Sequence, residues 1–221
     1  ELYDHDEHAL LLEYCDGPEV KTLVQEGKDD EATRIICDVL KQIHGRPLPS
    51  KPHLYTMEER FSCLFECAQK GDTMTHCVPI ATEIKAFLAA GASVAKELLE
   101  NRDLSKDVLL HGDMHHENVM YSSERGWLAL DPKGIVGPRV FDVCNILGNP
   151  NLEKICGDKE RFLRQAQILY EEMDFDLQDI INWSFAYFCL SLSWHIDDGD
   201  DDVSVHSAKT MARMIEPMVK V

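Results

Sequence analysis

Positive charge is scarce in this chain. Its 221 residues carry 22 Lys and Arg against 40 Asp and Glu, a formal net charge of −18. So acidic a surface repels phosphate backbones and anionic lipid headgroups, which argues against nucleic acid or a membrane as partner. It suits a cationic small molecule, or it serves only to keep the protein soluble. Long apolar runs are missing too, since no stretch approaches the ~20 consecutive apolar residues that span a bilayer. No signal peptide is recognisable and the first residue is Glu, so the chain reads as a cytoplasmic piece of something longer.

Cysteine occurs at eight positions, but without the paired, short-spaced knuckles of a structural zinc site. The nearest approach to one is Cys63 and Cys67 with His76 and Cys77. Cys63 and Cys67 are also helical neighbours beside Phe61, Leu64 and Phe65, and that packing role is the simpler one. Cys37, Cys144 and Cys189 sit in apolar helical patterns and read as core, so the thiols are expected to be reduced. Internal repeats and low-complexity tracts are absent. With 44% hydrophobic and 28% charged residues the chain is ordinary globular protein, large enough for one large domain or two small ones.

What is present is mostly helical periodicity. Ala9 to Cys15 reads as a short buried strand ended by Asp16-Gly17-Pro18. A short helix follows over Pro18 to Glu26, stopped by Gly27. Asp29 and Asp30 are expected to cap a stronger helix with Ile35, Ile36, Val39, Leu40 and Ile43 on one face, running to His44. Three prolines make Arg46 to Tyr55 a loop, and Thr56-Met57-Glu58-Glu59 is a capping box. Another helix is expected over Pro79 to Glu100. Val108 to Leu110 is a buried strand, and Asn118 to Tyr121 and Trp127 to Leu130 form a hairpin. The remainder reads as helices from Val140, Asp158, Asp176 and Val203, the third apolar over most of its circumference and therefore central.

The chemistry concentrates in His111-Gly112-Asp113-Met114-His115-His116-Glu117-Asn118 and, one hairpin later, Asp131-Pro132-Lys133-Gly134. An Asp that can accept a hydroxyl proton, an Asn five residues on, and an Asp at the end of the next hairpin are the parts of a phosphoryl-transfer site. The stretch resembles the catalytic and metal loops of kinase-fold small-molecule phosphotransferases. The wording Leu130-Asp131-Pro132-Lys133-Gly134 is similar to the aminoglycoside (streptomycin) 6-phosphotransferase and hydroxyurea-resistance kinase family.

That resemblance implies an α+β, mainly helical fold: the C-terminal lobe of a protein-kinase-like protein with a small β-hairpin at its active site. Residues 1–16 would be the end of an N-lobe and the hinge strand, and 17–221 the helical C-lobe with catalytic loop 111–118 and metal loop 131–134. It implies ATP and Mg²⁺ as cofactors, and a cationic, aminoglycoside-like acceptor. Asp113 would orient the acceptor hydroxyl and take its proton, while Asn118 and Asp131 would ligate Mg²⁺ through hard oxygens. Glu13, Tyr14 and Cys15 would meet adenine through the main chain. Lys133 would reach the phosphoryl group or lie on the surface. His111 would brace the loop, and Asp142 would brace it or cap a helix. Trp194-His195-Ile196-Asp197-Asp198-Gly199-Asp200 is similar to a Trp-Ser-x-x-Asp-Gly ending in the family, so Asp197, Asp198 and Asp200 are substrate candidates as well as a solvated acidic turn.

The family's Gly-rich loop and its phosphate-pairing Lys have no counterpart before Leu10. Turnover by this chain alone is therefore expected to be poor, and a non-catalytic binding module stays open as an alternative. Gly112-Asp113-Met114-His115 is also similar to a stretch of dinuclear metallophosphoesterases, but their upstream Asp-x-His in strand context and later Gly-Asn-His do not occur.

Overall fold

The computed structural model describes residues 2–50, 54–70, 82–150, 152–199 and 202–221. The chain opens with an antiparallel pair, β1 (Leu2–His5) and β2 (Leu10–Leu12). It continues through α1 (Lys21–Gln25), α2 (Asp29–His44), β3 (Tyr55–Thr56), α3 (Met57–Arg60), α4 (Ser62–Lys70) and α5 (Thr82–Asn101). The strands β4 (Val108–Leu110), β5 (Val119–Ser122), β6 (Gly126–Ala129) and β7 (Ile135–Gly137) then form the middle of the chain. The rest is helical: α6 (Phe141–Cys144), α7 (Leu152–Ile155), α8 (Lys159–Met173), α9 (Leu177–Asp197) and α10 (Asp202–Ile215). This is the mainly helical α+β architecture that the motifs implied. Among the described residues, no helix is long and apolar enough to cross a membrane.

The core is organised around α9. Every residue from Ile180 to Ser193 is buried, and α4, α5, α6, α8 and α10 all pack on this helix. Apolar residues on every side of one helix leave no solvent face, so its position at the centre follows from its sequence. Asp176 caps it by accepting from the N–H groups of Gln178 and Asp179. Gly91 of α5 lies so close to Cys189 that a Cβ there would collide with the Cys189 side chain. Phe61, Phe141, Trp183 and Tyr187 form an aromatic cluster with ring centroids 5.8–6.3 Å apart between α9 and the site loops.

Several local expectations are corrected. The segment read as a buried strand is exposed: Leu10, Leu11 and Leu12 are 65, 59 and 46% accessible. Its one partner among the described residues is β1, and no described element covers it. Asp29 and Asp30 do not cap α2, whose N-cap is Lys28. Instead Asp29 holds the Arg161 guanidinium at 2.7 and 3.0 Å and Asp30 holds Arg164, tying α2 to α8. The helix expected from Val140 is a single turn, α6, followed by a 3₁₀ turn over Asn145–Gly148. The loops around residues 55 and 135 contribute strands too, in a sheet ordered β3-β7-β4. The expected capping box at Thr56 is present, its hydroxyl accepting from Glu59 N–H at 3.2 Å.

Candidate active site

The two motif loops meet because the strands that flank them pair. β4 delivers the chain to His111, and β7, antiparallel to it with Leu110 opposite Ile135, leads away from Gly134. Between them, β5 and β6 form the expected hairpin with Val119 opposite Ala129. Main-chain bonds then stitch the loops together. Lys133 N–H donates to His111 C=O at 2.7 Å, and Leu130 N–H to Asn118 C=O at 2.9 Å.

Gly112 explains itself at this junction. Its φ is +82°, and a Cβ there would lie 2.5 Å from Ile135 Cδ1. No side chain fits, so a Gly stands between the His and the Asp. Asp131 also has positive φ, at 58°, a conformation Asp tolerates better than most residues. Behind the loop, buried Asp142 accepts from the N–H of His111 at 2.8 Å, the N–H of Gly112 at 2.7 Å and His44 Nε2 at 2.9 Å. It sits within α6 rather than at its N-cap. His111 is fully buried; Nε2–H donates to Leu130 C=O at 2.7 Å, and Nδ1 accepts from Asp113 N–H at 3.3 Å. Because a carbonyl only accepts, these contacts select the Nε2–H tautomer.

Asp113 is held from several sides. Asn118 Nδ2 donates to its main-chain oxygen at 2.9 Å, and Asn145 Nδ2 to its Oδ1 at 3.0 Å. Asn145 is held in turn by Asn149, whose Nδ2 reaches Asn145 Oδ1 at 2.9 Å. The ammonium of Lys133 stands between the two motif carboxylates, 2.5 Å from Asp131 Oδ2 and 3.6 Å from Asp113 Oδ2. Its hydrogen bond to Asp131 raises the lysine above its ordinary pKa and holds the Asp131 carboxyl below the usual range. Arg60 donates to Gly112 C=O at 3.3 Å and stacks 4.1 Å from the centroid of the Trp194 ring. Burial pulls the Arg60 pKa down, while Tyr187 and Asp113 favour its charge.

Two cavities open beside the motif loops. One, of about 480 Å³, is mainly apolar and is lined by Cys15, Val39, Ile43, Trp127, Leu130 and Asp131. The other, of about 620 Å³, is polar and is lined by Arg60, Asp113, Glu117, Asn145, Tyr187 and Trp194. Thus one motif Asp faces each cavity. Glu13 and Cys15 line the apolar side, whereas Tyr14 is 85% exposed and does not. The Glu13 side chain pairs with Arg125. Asp197 and Asp198 are exposed at the end of α9 and are not among the residues lining either cavity; Asp200 lies outside the described residues. His76 and Cys77, drawn with Cys63 and Cys67 as a possible zinc set, lie outside them too. Arg60, Asn145, Asn149 and Tyr187 carry no motif signature, and the fold alone brings them here.

The sequence profile of the aminoglycoside/hydroxyurea antibiotic resistance kinases matches residues 2–199. The chain belongs to this kinase family. Among curated relatives, a streptomycin 3''-kinase of Klebsiella pneumoniae is 35% identical over 197 residues, 86% of this chain and 68% of the relative. A streptomycin 6-kinase of Streptomyces griseus is 31% identical over 204 residues, 90% of this chain and 62% of the relative. The chain thus spans 62–68% of the length of these two relatives. An aminoglycoside phosphotransferase crystal structure superposes with a TM-score of 0.64 at 11% identity, covering 94% of this chain and 72% of that one, and shares the fold. The matched segment contains both the His-Gly-Asp and the Asp-Pro-Lys-Gly motifs; the Asn145 and Asn149 contacts are visible only in three dimensions.

Proposed function

We propose that this chain is the helical, catalytic lobe of a kinase that moves the γ-phosphoryl group of ATP to a hydroxyl of a cationic, streptomycin-like aminoglycoside. The observation that carries this reading is Lys133 bridging Asp131 on the apolar cavity and Asp113 on the polar one. Adenine and ribose suit the apolar side, with Glu13 and Cys15 at its outer edge. The acceptor suits the polar side, where Glu117 and Asp113 offer carboxylates to an amine or guanidinium. Asp113 then orients the hydroxyl and receives its proton, and positioning supplies most of the rate in a loose phosphoryl transition state. Lys133 neutralises charge on the transferring group. His111 and Asp142 hold the loop that aims Asp113.

The donor set fits Mg²⁺. Asn118 commits its amide nitrogen to Asp113, and among the described residues no group donates to its Oδ1, while Asp131 offers an exposed carboxylate. Both are hard oxygens of the type this ion prefers, and when bound it would neutralise the phosphate oxygens. The two relatives differ in the hydroxyl position their names carry, so the proposal is for the acceptor class rather than one position. A cytoplasmic location belongs to the same reading, supported by cysteines outside any disulfide at Cys15, Cys37, Cys63, Cys144 and Cys189.

The test is transfer of label from γ-labelled ATP to streptomycin by a protein containing this sequence, with Asp113→Asn beside it. Labelled streptomycin from the parent and none from the variant is expected. Equal transfer by both would sink the assignment.

A further inference from the structure

Cys63 and Cys67 form a pair of nucleophilic side chains outside the phosphoryl-transfer machinery. They stand one turn apart on α4 with their sulfurs 3.9 Å from one another. Cys67 is buried in the core at 4% exposure, whereas Cys63 is half-buried and lines a small cavity of about 300 Å³ together with Arg60, Lys133 and Trp194. A reagent in that cavity therefore meets one sulfur first and finds the second directly behind it. The other cysteines of the core have no such access, with Cys37, Cys144 and Cys189 all at 0% exposure.

We propose that Cys63 and Cys67 are a hydroperoxide-reactive dithiol on the rim of the active cleft, with Cys63 the attacking sulfur and Cys67 the resolving one. In the first step the Cys63 thiolate attacks a peroxide oxygen. The S–O bond forms, the O–O bond breaks, and hydroxide or alkoxide leaves and is protonated. In the second step the Cys67 thiol attacks the sulfenic sulfur; the S–S bond forms, and the hydroxyl leaves as water with the Cys67 proton. Two thiols lose two electrons, and the hydroperoxide is reduced to an alcohol or water. Four residues at ~1.5 Å rise set the Cα atoms about 6 Å apart, inside the range disulfides span, while Cβ atoms about 5–6 Å apart at this spacing must draw together by about 1 Å, so forming the bond distorts this turn of α4. Hydrogen bonding from Cys67, together with the Ser193 hydroxyl, lowers the Cys63 thiol to about 7 against the opposing effect of burial. Burial pushes Cys37 up to about 12, and Cys144 and Cys189 higher still. Thiolate character is thus concentrated at the accessible member of the pair.

Both cysteines fall in one tryptic peptide, Phe61 to Lys70, which makes the test direct. The folded protein is treated with one equivalent of hydrogen peroxide, alkylated and digested. The expected product is this peptide two hydrogens lighter and unalkylated, restored by dithiothreitol. Cys67→Ser should stop at a sulfenic acid on Cys63 that dimedone traps. In the unmodified protein, iodoacetamide should label Cys63 at least about tenfold faster than Cys144 or Cys189. Labelling of Cys63 no faster than those two, or a wild-type product identical to that of Cys67→Ser, would overturn the proposal. None of these readouts depends on kinase activity.

Discussion

Asn145 donates from Nδ2 to Oδ1 of Asp113 at 3.0 Å, across 32 residues of sequence. This bond fixes which carboxylate oxygen of Asp113 remains toward Lys133 and the polar cavity. With Asp113 as the proposed base, Asn145→Ala should lower kcat by about 10- to 100-fold with little change in the KM for ATP, since misplacing the base affects the reacting geometry rather than nucleotide contacts. Steady-state kinetics would check it. Asn149→Ala, which removes the support of Asn145 at 2.9 Å, should give a smaller loss in the same parameter. A rise in KM alone would place Asn145 in ground-state binding instead.

Asp131 and Lys133 should respond in opposite senses. Asp131→Asn removes a proposed metal oxygen and should weaken Mg²⁺-dependent nucleotide binding on the order of 100-fold. Lys133→Ala removes the cation paired with Asp131 Oδ2, which would leave that oxygen available to Mg²⁺, so binding should hold or tighten while turnover falls. Because Lys133 holds the Asp131 carboxyl below its usual 3.8, this group stays ionised through that pH and should not be the cause of any binding loss near pH 4. Titration calorimetry on both variants decides it; equal losses would remove the distinction between metal ligand and phosphate contact.

Asp142 should matter for stability as much as for activity. Its buried carboxylate satisfies two main-chain N–H groups of the catalytic loop and one ring nitrogen of His44. Asp142→Ala leaves all three donors unpaired in the core and should cost about 3 kcal/mol, measured by urea unfolding. Asp142→Asn keeps one acceptor and should cost roughly half as much. A cost below about 0.5 kcal/mol for the alanine variant would mean that water or a relaxed loop replaces the carboxylate.

The elements that sequence made legible are those whose signal is local. The full-circumference apolar pattern of Ile180 to Trp194 could only be a central helix, and the hairpin at 119–129 follows from two short apolar runs around Arg125-Gly126. The Asp113, Asn118 and Asp131 spacing depended on that hairpin alone. Asn145 and Arg60 were invisible because their meaning lies in contacts over 32 and 52 residues, and a polar side chain on a short helix has no pattern of its own. The exposed Leu10 to Leu12 strand misled for the converse reason: apolar runs are read as buried, and burial depends on what lies over them. Asp29 and Asp30 satisfied a capping rule by position, but nearby guanidiniums on α8 outcompeted the backbone for both carboxylates.

His116 should set the acid limit of the fold. Its ring is 0% exposed, and neither nitrogen finds a partner among the described residues. Burial, reinforced by Arg161 and His115, lowers its pKa to about 3 from an ordinary 6.5. The folded protein therefore keeps this imidazole neutral where the unfolded chain protonates it. The stabilisation is complete above pH 6.5 and is lost as pH falls through the window from 6.5 toward 3, by up to about 1.4 kcal/mol per pH unit. Replacing the ring by an apolar one removes this dependence. Urea unfolding at pH 7.5, 5.5 and 4.5 should show His116→Phe losing roughly 2.5 kcal/mol less than the parent between about pH 7.5 and 4.5. The comparison isolates one proton, because every carboxylate titrates alike in both proteins. Parallel curves for parent and variant would mean that the imidazole takes up its proton in the folded state, and that the acid sensitivity lies with the carboxylates around Arg161 and Lys133 instead.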